Sequence, residues 1–289
     1  TAPEGGWPVI GWAHGTSGLD DHCAPSLIGP TYPERDRQYL AGWLGQGYAI
    51  AASDYVGLGT PGLMPYLDGK TTAHSVVDSV KASRAIDDSL SNKWVVVGQS
   101  QGGGAAITTA RYATEFGGPE LDYRGAVGTG VPANIELALF PAGPGYLPVP
   151  INEGLTTYAL YIVSGFRTAH PEIDVDSYLT EEGKRIVDRA ETLCVAEAEK
   201  EFDGIVTGDL FAKPLSEIPN LYGLLNDYMG IPVDGYDRPV FIGQGLYDTD
   251  VPVISALSLV AQMTATGQDV RLHTYPTDHS GALLQSQAD

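Results

Sequence analysis

The stretch Lys93-Trp-Val-Val-Val-Gly-Gln-Ser-Gln-Gly-Gly-Gly-Ala-Ala106 decides the fold. Residues 94–97 form an apolar, β-branched run of strand type, and residues 105–115 form a helix-compatible run. Between them Gly98 to Gly102 spell G-x-S-x-G. Chance alone places that pentapeptide in roughly one of four chains of this composition, so the flanking strand and helix carry the inference. Together they predict a strand-to-helix elbow that lifts the Ser100 Oγ above the end of a sheet. Gly98 and Gly102 leave room for a strained backbone at Ser100, while Gly103 and Gly104 let the helix approach closely. The start of that helix presents unpaired N–H groups and the positive dipole end to any negative charge developing beside the serine.

Outward from the elbow, residues 8–13, 48–53, 94–97, 125–130, 240–244 and 270–275 read as strands with helical patterns between them. Residues 71–88, for example, place Ala73, Val76, Val77 and Val80 on one stripe. Strands alternating with helices predict an α/β fold with a mostly parallel sheet. The rhythm breaks at residue 135. Residues 135–237 begin with a Pro- and Gly-rich entry and continue as helical stretches around 155–166, 180–202 and 215–229, without a convincing strand. The expectation is an α/β core of residues 1–134 and 238–289, interrupted by a helical cap or lid of residues 135–237.

A serine nucleophile needs a base and an acid, and this elbow predicts the chain order Ser, acid, His. Asp248 follows a strand in the spacing Gly245, Asp248, Val251 and is the expected acid. Asp250, just before Val251-Pro252, reads as a cap for the helix that follows. His279 is the expected base, in a loop past the last strand. His273 lies inside that strand, and His22, His74 and His170 come too early in the chain or within the inserted segment; all four are expected to be surface or packed imidazoles. Residues 8–18 run from a strand into His14-Gly15-Thr16-Ser17-Gly18. From there the Thr16 N–H, with or without its hydroxyl, would join the Gln101 N–H in an oxyanion hole. His14 itself is expected to tie the loop down.

Composition bounds the partners. Among 289 residues, 36 Asp and Glu stand against 16 Lys and Arg, a net charge of −20 that opposes docking onto nucleic acid or anionic lipid. With 43% apolar residues the chain can form a sizeable core. The best apolar run, residues 251–263, is too short and too interrupted to span a bilayer. The chain opens at Thr1 with neither Met nor a cationic, apolar leader, so any signal peptide is expected to be absent from it. There is no G-x-x-x-x-G-K-[ST] or H-E-x-x-H, and Asp174-Val-Asp176 lacks the Gly and Glu of a calcium loop. No metal and no cofactor is expected. Cys23 and Cys194 lack zinc-type spacing, which leaves either one long-range disulfide or two buried thiols.

Trp12-Ala-His-Gly-Thr-Ser-Gly-Leu-Asp-Asp-His-Cys-Ala-Pro-Ser26, Asp54-Tyr-Val-Gly-Leu-Gly59, the Ser100 elbow, Asp248 with Val251-Pro252, and His279 together resemble the secretory lipase family of α/β-hydrolases, the lipase A type. The likeness covers residues 8–135 and 239–282. It implies a secreted carboxylic-ester hydrolase whose helical cap shapes an acyl pocket, and a disulfide joining Cys23 to Cys194. Two features depart from some relatives: no acidic residue stands at positions 14–18 around Thr16, and with ten residues after His279 no long C-terminal flap is expected. The expected substrate is a neutral small-molecule or lipid ester of short to medium acyl length. Leu155, Tyr158, Leu160, Tyr161 and Phe166 are the candidates to line the acyl slot, with packing in the core of the cap as the alternative for each. A triacylglycerol lipase, an acyltransferase or peptidase, and a non-catalytic binding protein are the alternatives; covalent labelling of the serine separates the last from the rest.

Overall fold

The computed structural model describes residues 2–289. In chain order the elements are β1 (Trp7–Ala13), α1 (Pro25–Ile28), α2 (Pro33–Gly45), β2 (Ala49–Ala52), α3 (Gly69–Ile86), β3 (Leu90–Gln99), α4 (Gln101–Gly117), β4 (Asp122–Thr129), α5 (Ile135–Leu139), α6 (Glu153–Ala169), α7 (Glu181–Ala190), α8 (Val195–Glu201), α9 (Leu221–Met229), β5 (Val240–Gly245), α10 (Val253–Ala265), β6 (Val270–Tyr275) and α11 (His279–Ser286). The six strands form one sheet in the order β2-β1-β3-β4-β5-β6, and every pairing is parallel.

Both faces of the sheet are covered, which is why its strands read as apolar runs with little alternation of polarity. Along β1 and β3, Val9, Ala13, Trp94 and Val96 pack into the larger core with α3, α4 and α10. Their neighbours Ile10, Trp12 and Val97 face the other way, onto Tyr39 of α2 and Leu283 of α11. The period of two along each strand assigns these side chains to their faces.

The order of strands reverses between β1 and β3. In an open parallel sheet that reversal leaves a crevice outside the carboxyl ends of the two strands, because their connections leave toward opposite sides. The loop after β1 (residues 14–18) and the turn after β3 (Ser100) both lie there. Residues 130–239, between β4 and β5, contribute no strand to the sheet. They carry α5 to α9, and among the described residues their β-type pairings are the isolated bridges Gly18↔Cys194 and Leu179↔Phe211.

Cys23 and Cys194 are joined in a disulfide with Cα atoms 5.4 Å apart. The Val195 N–H also donates to the Ser17 carbonyl at 2.9 Å. The loop after β1 is thus fastened to the start of α8. Among the described residues no helix is long and apolar enough to cross a membrane.

Several element bounds differ from expectation for local reasons. The helix after Ser100 starts at Gln101, four residues before the helix-compatible run, because close packing overrides the poor helix propensity of Gly102 to Gly104. The stretch 180–202 divides into α7 and α8 at Cys194, which N-caps α8 and carries the disulfide. His279 is the first residue of α11, not a loop residue. The Asp278 side chain caps that helix by accepting the Gly281 N–H at 2.8 Å, a start signal obscured by the glycine itself.

Candidate active site

Ser100 follows the last residue of β3 with φ 60° and ψ −125°, a backbone conformation costly for a residue with a Cβ. Its surroundings hold it there. The Ser100 N–H donates to the Thr129 carbonyl at 2.9 Å. A Cβ on Gly98 would run into the Gly102 carbonyl, and one on Gly102 into the Ala13 carbonyl. Gly103 meets the Thr129 carbonyl in the same way, whereas Gly104 makes only ordinary contact with Pro132. The first turn of α4 is therefore wedged between the carboxyl ends of β1 and β4, and three glycines make that possible.

Asp248 and His279 lie in contact. The His279 Nδ1–H donates to Asp248 Oδ2 at 2.6 Å. The same oxygen accepts Gln244 Nε2 at 3.1 Å, while Oδ1 accepts the N–H groups of Asp250 (3.0 Å) and Val251 (2.7 Å). Four donors thus fix a buried carboxylate. An ionised carboxylate only accepts, so this bond puts a proton on Nδ1, and in the neutral ring that leaves the lone pair on Nε2. Among the described residues Ser100 Oγ makes no hydrogen bond, so the structure joins the acid to the base and leaves the serine hydroxyl unengaged.

Asp250 does not cap the following helix. Pro252 occupies the N-cap of α10 without a side-chain cap bond, and Asp250 lines the same cavity as Ser100. Burial pushes the Asp250 carboxyl above its usual range. The other four histidines pair with Asp20 (His22), Phe116 (His74), Glu172 (His170) and Asp289 (His273), away from Ser100.

The loop after β1 has its carbonyls engaged one after another. The His14 carbonyl accepts Tyr55 Oη at 2.9 Å, the Thr16 carbonyl accepts Thr31 Oγ1 at 2.8 Å, and the Ser17 carbonyl accepts the Val195 N–H. His14 Nδ1 lies 2.7 Å from the Gly15 carbonyl, and its ring stacks on Tyr55 at 4.2 Å. Burial pulls the His14 pKa below its ordinary value, so this histidine is a neutral tie for the loop. A Cβ on Gly15 would lie 3.7 Å from Ser100 Cβ. Among the described residues neither the Thr16 N–H nor the Gln101 N–H has a protein acceptor.

A cavity of about 330 Å³ opens beside Ser100 and Gln101. Residues of α5, α6 and α7 line it, together with Leu179 and Phe211. Leu155, Tyr158 and Leu160 line it as expected, but Tyr161 and Phe166 do not. Tyr161 is fully buried and donates its hydroxyl to the Leu193 carbonyl, and Phe166 packs against Tyr228.

Three residues of the site carry no sequence signal: Tyr66, whose hydroxyl meets Thr16 Oγ1 at 2.7 Å, Gln244 beneath Asp248, and Gly130 beside His279. Gly130 has φ +54°, and a Cβ there would lie 2.6 Å from His279 Cε1. Gly130→Ala is expected to push the imidazole aside and lower kcat/KM by about 100-fold, since a displacement near 1 Å is enough for such a loss. Steady-state kinetics beside a thermal melt check it; full activity in the folded variant would show that the imidazole position has slack.

A parallel sheet in this order, with a strained serine after β3, an acid after β5 and a histidine after β6, makes the chain an α/β-hydrolase. The secretory lipase family profile matches residues 34–286, and the chain belongs to that family. It is accordingly a carboxylic-ester hydrolase. Its fold is similar to that of Candida antarctica lipase A (19% identity, 96% of this chain and 67% of that one, TM-score 0.75). It is also similar to the rice cell wall degrading esterase LipA of Xanthomonas oryzae (18%, 98% and 79%, TM-score 0.77). A putative hydrolase of Legionella pneumophila is a third neighbour (21%, 100% and 80%, TM-score 0.78). No curated protein matches the chain by sequence.

Proposed function

We propose that the protein is a secreted serine hydrolase of neutral esters with short to medium acyl chains, working through Ser100, His279 and Asp248. The observations that carry this are the strained Ser100, which lines an apolar cavity together with Asp250 and Val251, and the 2.6 Å pair of Asp248 and His279, whose acid accepts the N–H groups of those same two residues. His279 Nε2 takes the Ser100 proton as Oγ attacks the ester carbonyl, and Asp248 stabilises the imidazolium that forms. The tetrahedral oxyanion is received by the Thr16 and Gln101 N–H groups at the positive end of α4, each worth about 2.7–4 kcal/mol of transition-state stabilisation. His279 then gives its proton to the departing alcohol, and the acyl-enzyme is hydrolysed by a water that His279 deprotonates in turn.

In this reading Gly98 and Gly102 serve the elbow, residues 135–237 act as a cap over the core of residues 1–134 and 238–289, and the acyl chain enters the cavity between them. The Cys23–Cys194 bond supports export, because such bonds persist in oxidising compartments. A volume of about 330 Å³ lies at the low end of small-molecule sites, about 300–1,000 Å³, which supports shorter acyl chains. One observation favours triacylglycerol lipase activity instead. Leu147, 39% exposed, lines the cavity, and Val149 and Ile254, 62% and 68% exposed, lie within two residues of lining positions, as a lipid-facing rim would.

Hydrolysis of p-nitrophenyl esters of increasing chain length, run beside an emulsified triglyceride, tests the reading. The highest kcat/KM is expected on short to medium chains, with smooth saturation in soluble ester. A jump in rate at the substrate's solubility limit together with the highest kcat/KM on long chains would establish the lipase instead.

A further inference from the structure

Thr16 Oγ1 and Tyr66 Oη lie 2.7 Å apart, and among the described residues neither hydroxyl has another partner. Two hydroxyls bring two protons to this contact, and the bond between them uses one. Both residues are buried, 7% and 3% exposed, so the second proton has no ready outlet to bulk water. The Tyr66 ring lines the cavity together with Ser100 and Gln101, and the Gly15 that precedes Thr16 abuts Ser100.

Tyr66 is held for this contact from three directions. Its carbonyl accepts Tyr228 Oη at 2.7 Å, and its ring meets Tyr161 edge-on at 5.5 Å. Gly165 of α6 lets the helix close on its backbone, since a Cβ there would lie 2.7 Å from the Tyr66 N. Burial raises the phenol further above its ordinary value, which keeps it a neutral donor. A phenol, with an ordinary pKa of about 10, is more acidic than an aliphatic alcohol and is the better donor of the two.

We propose that Tyr66 donates to Thr16 Oγ1 and that the Thr16 hydroxyl, its own proton left over, is a third donor to the oxyanion formed at Ser100. The inference rests on the reading of Ser100 as nucleophile. No proton is transferred along the pair. It supplies two hydrogen bonds in series, and the first strengthens the second because a hydroxyl that accepts becomes a stronger donor. Thr16 is thereby a catalytic residue through both its N–H and its hydroxyl, and Tyr66 is a positioning residue that acts through it. This also accounts for a threonine in a loop whose backbone alone would supply one donor.

The test measures kcat and KM on p-nitrophenyl butyrate for Thr16→Val, Tyr66→Phe, the double variant and Thr16→Ser, with active sites counted by stoichiometric phosphonate titration. Per titrated site, Thr16→Val is expected to lose about 100-fold in kcat and Tyr66→Phe about tenfold, with KM changed by less than about threefold in each. The double variant should be no slower than about threefold below Thr16→Val, since the pair acts as a unit. Thr16→Ser, which keeps the hydroxyl, should recover about tenfold or more of the rate lost in Thr16→Val. A kcat within about threefold of wild type in either single variant, or losses that multiply in the double, would overturn the relay. A merely structural role would lower the titre and the melting temperature and leave kcat per site unchanged. Ser100→Ala in the same assay separates the two levels: activity there removes the nucleophile reading itself, whereas an inactive Ser100→Ala beside a full-rate Tyr66→Phe removes only the relay.

Discussion

Ser100→Ala is expected to lower kcat by roughly 10⁵- to 10⁶-fold while the protein remains folded, because nucleophile and base act as a unit and neither functions without the other. Folding should be spared for a structural reason. Among the described residues the Ser100 Oγ makes no hydrogen bond, and the features that hold the elbow are backbone contacts: the Ser100 N–H to Thr129 and the packing of Gly98, Gly102 and Gly103 against carbonyl groups. Alanine keeps the Cβ and every one of those contacts. A variant that melts like wild type and keeps more than about a tenth of its kcat would remove Ser100 from the chemistry.

Asp248→Asn is expected to cost about 10⁴-fold in kcat, and Asp250→Asn less than about tenfold. The difference follows from what surrounds each carboxylate. Asp248 Oδ1 receives two backbone N–H groups, so an asparagine oxygen would remain on that side and its NH₂ would turn toward Gln244 Nε2 and His279 Nδ1. The imidazole would then present a lone pair at Nδ1 and a proton at Nε2, the wrong tautomer to accept from Ser100. The Asp250 side chain lines the cavity, and the Asp250 N–H that donates to Asp248 Oδ1 is backbone and is kept in the asparagine variant. The two kcat values, compared at equal titre, check this; the reverse ranking would move the acid to Asp250.

The core was legible in the sequence because its signals are local. Each strand is a short apolar run buried on both faces, and the Gly98 to Gly102 turn is set by sterics within five residues. The order Ser100, Asp248, His279 follows from the order of the strands that deliver them. Tyr66, Gln244 and Gly130 were not legible, since their importance comes from what faces them across the fold: Thr16 fifty positions away, Asp248 over the β5 turn, and His279 on α11. Asp250 misled for a related reason. An acid before Val-Pro is a fair helix-cap signal, but the Asp250 N–H is drawn onto Asp248, and the α10 N-cap falls on Pro252. In residues 135–237 helical periodicity identified the helices but not which face of α6 turns toward the cavity, so it did not separate Leu155, Tyr158 and Leu160, which line it, from Tyr161 and Phe166, which pack in the core of the cap.

Peptide mapping by mass spectrometry after reaction with an alkyl fluorophosphonate tests the central claim most directly. One phosphonyl group per chain is expected, on the peptide containing Ser100, formed together with complete loss of esterase activity and absent from Ser100→Ala. Full inhibition with the label on another residue, or an unlabelled Ser100 peptide from inactivated protein, would contradict the assignment of Ser100 as the nucleophile.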